Sequence, residues 1–170
     1  MKILSLFLMI GTLLLTLLFP GSLQAQDQMP PPIVDEGPEQ QLLYSPETVE
    51  WQEAPTSLEP GAEVAVLEGN PSIPGVFTMR IKMPDEFIIS PHWHPGVERV
   101  TVVSGQFYLG TGEALNREAA DHLPPGSYTS IPPETRHYAI ADGETVIQLT
   151  SVGPWEVNYV NPADDPRLRA

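Results

Sequence analysis

The residues best able to do chemistry in this chain are its four histidines, and two of them lie together in Pro91-His92-Trp93-His94-Pro95. In a strand, residues two apart point to the same face, so the imidazoles of His92 and His94 project together. Glu98 has the same parity, beyond a Pro95-Gly96 bend that brings its carboxylate round to the same point. Two nitrogen donors and one oxygen donor on so short a piece of chain suit a divalent metal ion. A His-x-His pair also arises without function, so the rest of the chain has to carry the argument.

The other reactive groups read differently. His122 falls in a connection before Leu123-Pro124-Pro125, where a surface imidazole is expected. Arg136 and Arg80 stand at parities that put them on the solvent face, and Trp93, between two candidate ligands, points away from them. There is no cysteine. That excludes disulfides, thiolate ligands, a lipid-modified N-terminal cysteine and cysteine nucleophiles.

The elements that must position these groups are short. Twenty prolines and 13 glycines leave little room for long helices and many places for turns. The clearest segment alternates Phe77, Met79, Ile81 and Met83 with Thr78, Arg80 and Lys82, which predicts a strand with one buried and one wet face. Glu98, Val100 and Val102 share a parity in the strand after the histidines, which ends in a turn at Gly105. Further short strands are expected over residues 63–67, 107–110, 127–131, 137–140, 145–152 and 156–160, with Gly or Pro in nearly every gap. Residues 113–122 have helix-like composition but form a connection at this length. The expectation is an all-β jelly roll or small barrel.

The same parity rule predicts an apolar cavity beside the candidate ligands, lined by Met79, Ile81, Val100, Val102, Phe107, Ile147 and Leu149. Core packing alone also accounts for each of them.

The spacing extends further. After Glu98 comes Gly105, and later the segment Gly126-Ser-Tyr-Thr-Ser-Ile-Pro132-Pro-Glu-Thr-Arg-His137. This resembles the two motifs of the cupin superfamily. His-x-His-x3-Glu-x6-Gly is matched in full over residues 92–105, and Gly-x5-Pro-x-Gly-x2-His by Gly126, Pro132 and His137. Glu86, Glu134 and Ala141 replace two glycines and an asparagine of the usual pattern, none of them a ligand. Residues 152–166 resemble small bacterial single-domain cupins related to the cupin part of ChrR-type anti-sigma factors.

The resemblance implies a double-stranded β-helix (an RmlC-like barrel) over residues 61–160. It also implies one divalent ion, Fe, Mn, Ni, Cu or Zn, held by His92, His94, Glu98 and His137. Such a set leaves a divalent ion near +1 with two open positions. Glu98 doubles as a candidate acid or base, since no inward Tyr, Lys or second carboxylate offers itself. Dimers through strands outside the barrel are a family habit, so a homodimer is an expected partner state.

The ends and the charge set the context. Lys2, an apolar run over residues 3–19 and a Ser-Leu-Gln-Ala segment predict a signal peptide cleaved after Ala25, with an uncleaved anchor as the alternative. Residues 26–60 read as a proline-rich leader with short outer strands, one or two of them within 42–51, and residues 161–170 as a tail. Eight basic against 22 acidic residues give −14, which excludes nucleic acid and disfavours anionic membrane surfaces. An exported, periplasmic or secreted protein with a small-molecule substrate or ligand is expected. Two functions follow: a metal-dependent enzyme of dioxygenase, decarboxylase, lyase or isomerase type on a small oxygen-rich molecule, or a metal or small-ligand sensor without turnover. Fold alone does not choose between them.

Overall fold

A computed structural model describes residues 37–169, so the expected signal peptide and the first part of the leader, residues 26–36, lie outside the described residues. Among the described residues there are nine strands: β1 (Gln52–Glu53), β2 (Glu63–Glu68), β3 (Gly75–Met83), β4 (Ile88–Trp93), β5 (Glu98–Thr111), β6 (Asp121–Leu123), β7 (Tyr128–Ile131), β8 (His137–Gly153) and β9 (Asn158–Tyr159). Alternation builds them. β3 buries Phe77, Met79, Ile81 and Met83 while Thr78, Arg80 and Lys82 stay half exposed, and β5 opens by burying Glu98, Val100 and Val102.

All strand pairs are antiparallel, and β5 and β8 are the spine, paired from Arg99 opposite Thr150 to Thr111 opposite His137. Their register slips between Val102 and Gln106, and there both strands bend. The first half of β5 and second half of β8 lie in one layer with β1, β2, β3 and β7. The other halves lie in a second layer with β4, β6 and β9. The result is a jelly roll whose two layers face each other across a core that includes Phe77, Met83, Val102 and Leu149.

Gly105 was expected to end a strand; instead it bends one. Its φ is +81°, and a Cβ there would lie 2.4 Å from the Glu144 carbonyl oxygen, so no other residue permits the fold-over. The strands expected at 137–140 and 145–152 are likewise one strand, carried through Gly143 at φ +73°.

Three connections differ from expectation. Residues 42–51 contain a single 3-10 turn, Pro46–Thr48, in place of strands, because the Ser45 N–H closes on Thr48 Oγ1 at 2.9 Å. Within 113–122 the helix-like stretch reduces to one 3-10 turn, Arg117–Ala119, capped by the Asn116 side chain. Of 156–160 only Asn158–Tyr159 pairs as strand, and the chain then makes two further 3-10 turns capped by Asn161 and Asp165.

Candidate metal centre

The layer holding β4 and β8 sets His92 directly opposite His137, so the two rings meet across the ladder with centroids 4.3 Å apart. His94 lies one residue past the end of β4, with its ring centroid 4.8 Å from that of His92 and 5.3 Å from that of His137. Glu98 is the first residue of β5, and its Oε2 lies 3.5 Å from His94 Nε2 and 3.1 Å from His137 Nε2. All four are buried, at 3 to 7 % exposure.

Each ring is aimed by the same device. His92 Nδ1 donates to Ser90 O at 2.8 Å, His94 Nδ1 to Glu156 O at 2.6 Å and His137 Nδ1 to Thr135 O at 2.9 Å. A carbonyl can only accept, so every Nδ1 carries its hydrogen and every neutral ring turns an Nε2 lone pair toward the common point. For His92 and His137 the carbonyl lies two residues back along the same chain, so the local backbone fixes the ring. For His94 it comes from the far C-terminal segment.

The centre is thus three lone pairs and a carboxylate without hydrogens between them. His94 Nε2 and Glu98 Oε2 are buried with no hydrogen-bond partner among the described residues. Orphaned acceptors facing one another are costly unless a cation lies between them, and the three imidazole donors lie within 4.8 Å of one another. This donor set fits one divalent ion of the nitrogen- and oxygen-preferring kind.

The acid–base directions agree with a cation site. Burial, and then the neighbouring His137 and His94, push His92 down to about 3, and burial also lowers His94. Both stay neutral, as ligands must. Burial alone would raise Glu98, but His137 and the other imidazoles outweigh it and hold the carboxyl below its usual range. In His137 burial acts downward, and the Glu98 carboxylate outweighs it and raises the ring. The carboxylate that favours the charged form of His137 would favour a cation at the same point.

Beside the centre lies a cavity of about 460 Å³. Met79, Ile81, Val100, Phe107, Ile147 and Leu149 line it together with the four candidate ligands. Val102 does not: it is 2 % exposed and packs in the core, next to the register slip in β5 that turns the strand away from the cavity. His122 stacks on Tyr108 at the surface, Arg136 pairs with Glu113 at 3.1 Å, and Arg80 bonds Gln148 on the outer face of β3. Trp93 is half-buried and is not part of the cavity wall.

Sequence reasoning missed a second set of residues. Trp155 lies flat against His94, centroids 3.9 Å apart and planes inclined by 21°. Its backbone neighbour Glu156 supplies the carbonyl that aims His94, and Arg167 from the terminal turns reaches the cavity wall. The leader contributes Gln52, Glu53, Pro55, Ser57 and Leu58, with Ser57 O accepting the Tyr159 hydroxyl at 2.7 Å. Burial raises that hydroxyl to about 12. Only their place in the closing stretch of the family resemblance marked Trp155 and Glu156; for the leader residues no signal existed.

The jelly roll with a buried histidine cluster on facing strands has the fold of solved cupin structures. More narrowly, the chain belongs to the family described as domain of unknown function DUF4437, which matches residues 33–158. Among solved structures it is similar to the polyketide cyclase RemF from Streptomyces resistomycificus, at 16 % identity and a TM-score of 0.57 over 75 % of this chain and 90 % of that one. It is also similar to an acetylacetone dioxygenase from Acinetobacter johnsonii, at 18 % identity and 0.57 over 75 % and 82 %. An RmlC-like cupin from Shewanella frigidimarina matches at 16 % identity and 0.51 over 66 % and 91 %. At these identities the likeness is one of fold. No curated protein matches the chain.

Proposed function

We propose that the chain is a mononuclear metal-dependent enzyme, with His92, His94, Glu98 and His137 holding one divalent ion at the wall of the cavity. The observation that carries this reading is the pair of orphaned buried acceptors, His94 Nε2 and Glu98 Oε2, facing the lone pairs of the other two rings. When bound, the ion supplies Lewis acidity or, for a redox metal, oxygen chemistry.

The remaining work falls to the chain. The apolar wall excludes water and holds the carbon body of a small oxygen-rich molecule beside the centre. Glu98 is the one carboxylate among the four buried groups, and once released from the ion it would accept a proton leaving the substrate or, when protonated, return one. Dioxygenase, decarboxylase, lyase and isomerase chemistry all use such parts. The N-terminal pattern of Lys2, apolar run and Ala25 supports export, which N-terminal sequencing of the mature protein tests.

The deciding experiment is elemental analysis of protein purified without chelators and after reconstitution, followed by product assays on dicarbonyl, flavonol and carboxylate panels. About one ion per chain is expected, falling sharply in His94→Ala. Less than about a tenth of an ion per chain, or an unchanged content in that variant, sinks the four-ligand centre. Full loading with no turnover on any panel favours a sensor.

A further inference from the structure

We propose that the cavity takes an uncharged, largely apolar molecule that presents a pair of oxygens to the centre, and that its mouth turns away ligands carrying a carboxylate or phosphate. The inference rests on the reading of His92, His94, Glu98 and His137 as metal ligands and adds the class of molecule they receive.

Charge at the cavity lining sets this selectivity. Among the described residues lining the cavity, Arg167 is the one Arg or Lys, and it stands against Glu53, Glu98 and Glu156. Its charge is already matched. Nε donates to Asp165 Oδ1 and Nη2 to Asp165 Oδ2, each at 2.8 Å, and Nη2 also reaches Val157 O at 2.8 Å. A two-pronged guanidinium–carboxylate pair is the strongest form of such contact and leaves no net charge to offer a ligand. Asp165 is well placed to keep it: the side chain is 9 % exposed and its Oδ1 also accepts the Arg167 backbone N–H at 3.0 Å. The hydrogen bond from Arg167 holds the Asp165 carboxyl below its usual range.

An arriving anion therefore meets Glu53 and Glu156, both exposed, with no unpaired Arg or Lys among the described residues that line the cavity to balance them. Further in, the wall is mostly aliphatic and aromatic, where an unpaired carboxylate loses its hydration without compensation. Three neutral imidazoles and one carboxylate leave a divalent ion close to +1, which one chelating oxygen pair neutralises by giving up a proton as it binds, so a further carboxylate or phosphate on the same molecule has no charge left to meet it. Uncharged chelators meet none of these penalties.

The test uses the cobalt(II)-loaded protein and two hydroxypyranones with the same chelating head, one bearing an ethyl group and one a carboxylate. Binding is followed in the visible band of the ion, and each affinity is referred to that of the same compound for free cobalt. The ethyl compound is expected to bind at least about tenfold more tightly. Equal affinity, or tighter binding of the carboxylate, overturns the proposal. In Asp165→Asn, which keeps the capping oxygen but frees the Arg167 charge, the ratio is expected to fall to about threefold or less. Glu53→Gln, an exposed change that leaves the fold intact, narrows it too. A ratio that falls in either variant supports the charge argument, and one unchanged in both overturns it. Failure to load cobalt is read before any ligand is added, and it is the failure of the metal-centre reading itself.

Discussion

The indole of Trp155 covers one face of the His94 imidazole, 3.9 Å between centroids and within 21° of parallel, while Glu156 O holds Nδ1 of the same ring at 2.6 Å. One short stretch thus fixes both the plane and the tautomer of a candidate ligand. Trp155→Ala is expected to weaken metal binding by about tenfold, as loss of an orienting neighbour does, with Trp155→Phe recovering most of it. Titration with cobalt or copper should also quench fluorescence in the native protein and much less in Trp155→Phe. Equal quenching in both would separate Trp155 from the site.

Glu98→Gln should move stability in opposite directions with and without metal. Without metal, the amide offers hydrogens to the Nε2 lone pairs of His94 and His137, at 3.5 Å and 3.1 Å from Glu98 Oε2, and the protein gains about 1 kcal/mol. With metal, the lost charge weakens binding by at least about tenfold. Unfolding midpoints in chelator and in excess metal check both signs.

Glu86 and Glu134 stand where the family pattern has glycine, and both sit at φ +61°. That backbone costs a non-glycine residue about 1 to 2 kcal/mol. Glu134 stays there because its N–H donates to His94 O at 2.8 Å, a bond any residue would keep. Glu134→Gly is therefore expected to stabilise the fold by about 1 kcal/mol, measured by denaturant midpoint, without changing metal content.

Phe77 is fully buried and meets Trp155 edge to face, with centroids 5.8 Å apart. Phe77→Ala should cost about 3 to 5 kcal/mol, readable in urea unfolding of the metal-free protein. Because its ring supports Trp155, metal affinity should fall as well.

Tyr159 links the C-terminal segment to the leader through Ser57 O. Its hydroxyl is raised to about 12 from an ordinary value near 10, so the folded state holds the proton that the unfolded chain gives up first. The stabilisation is complete below pH 10 and is lost as pH rises from about 10 to about 12. Urea midpoints across that window should fall more steeply in the native protein than in Tyr159→Phe.

The sequence by itself determined the parts governed by local rules. Period-two alternation placed Phe77, Met79, Ile81 and Met83 inward on β3, and the spacing of His92, His94 and Glu98 put three donors on one run of chain, because strand geometry repeats every two residues. Tertiary structure decided what depends on residues far apart. Gly105 and Gly143 read as turns and became bends, since only the facing strand shows whether a positive φ ends a ladder or folds it over. Val102 left the cavity wall at the register slip beside that bend. Trp155, Glu156, Arg167 and the leader around Ser57 reached the cavity because the jelly roll brings the segments before and after its main strands to one cavity, a proximity with no period or spacing to reveal it.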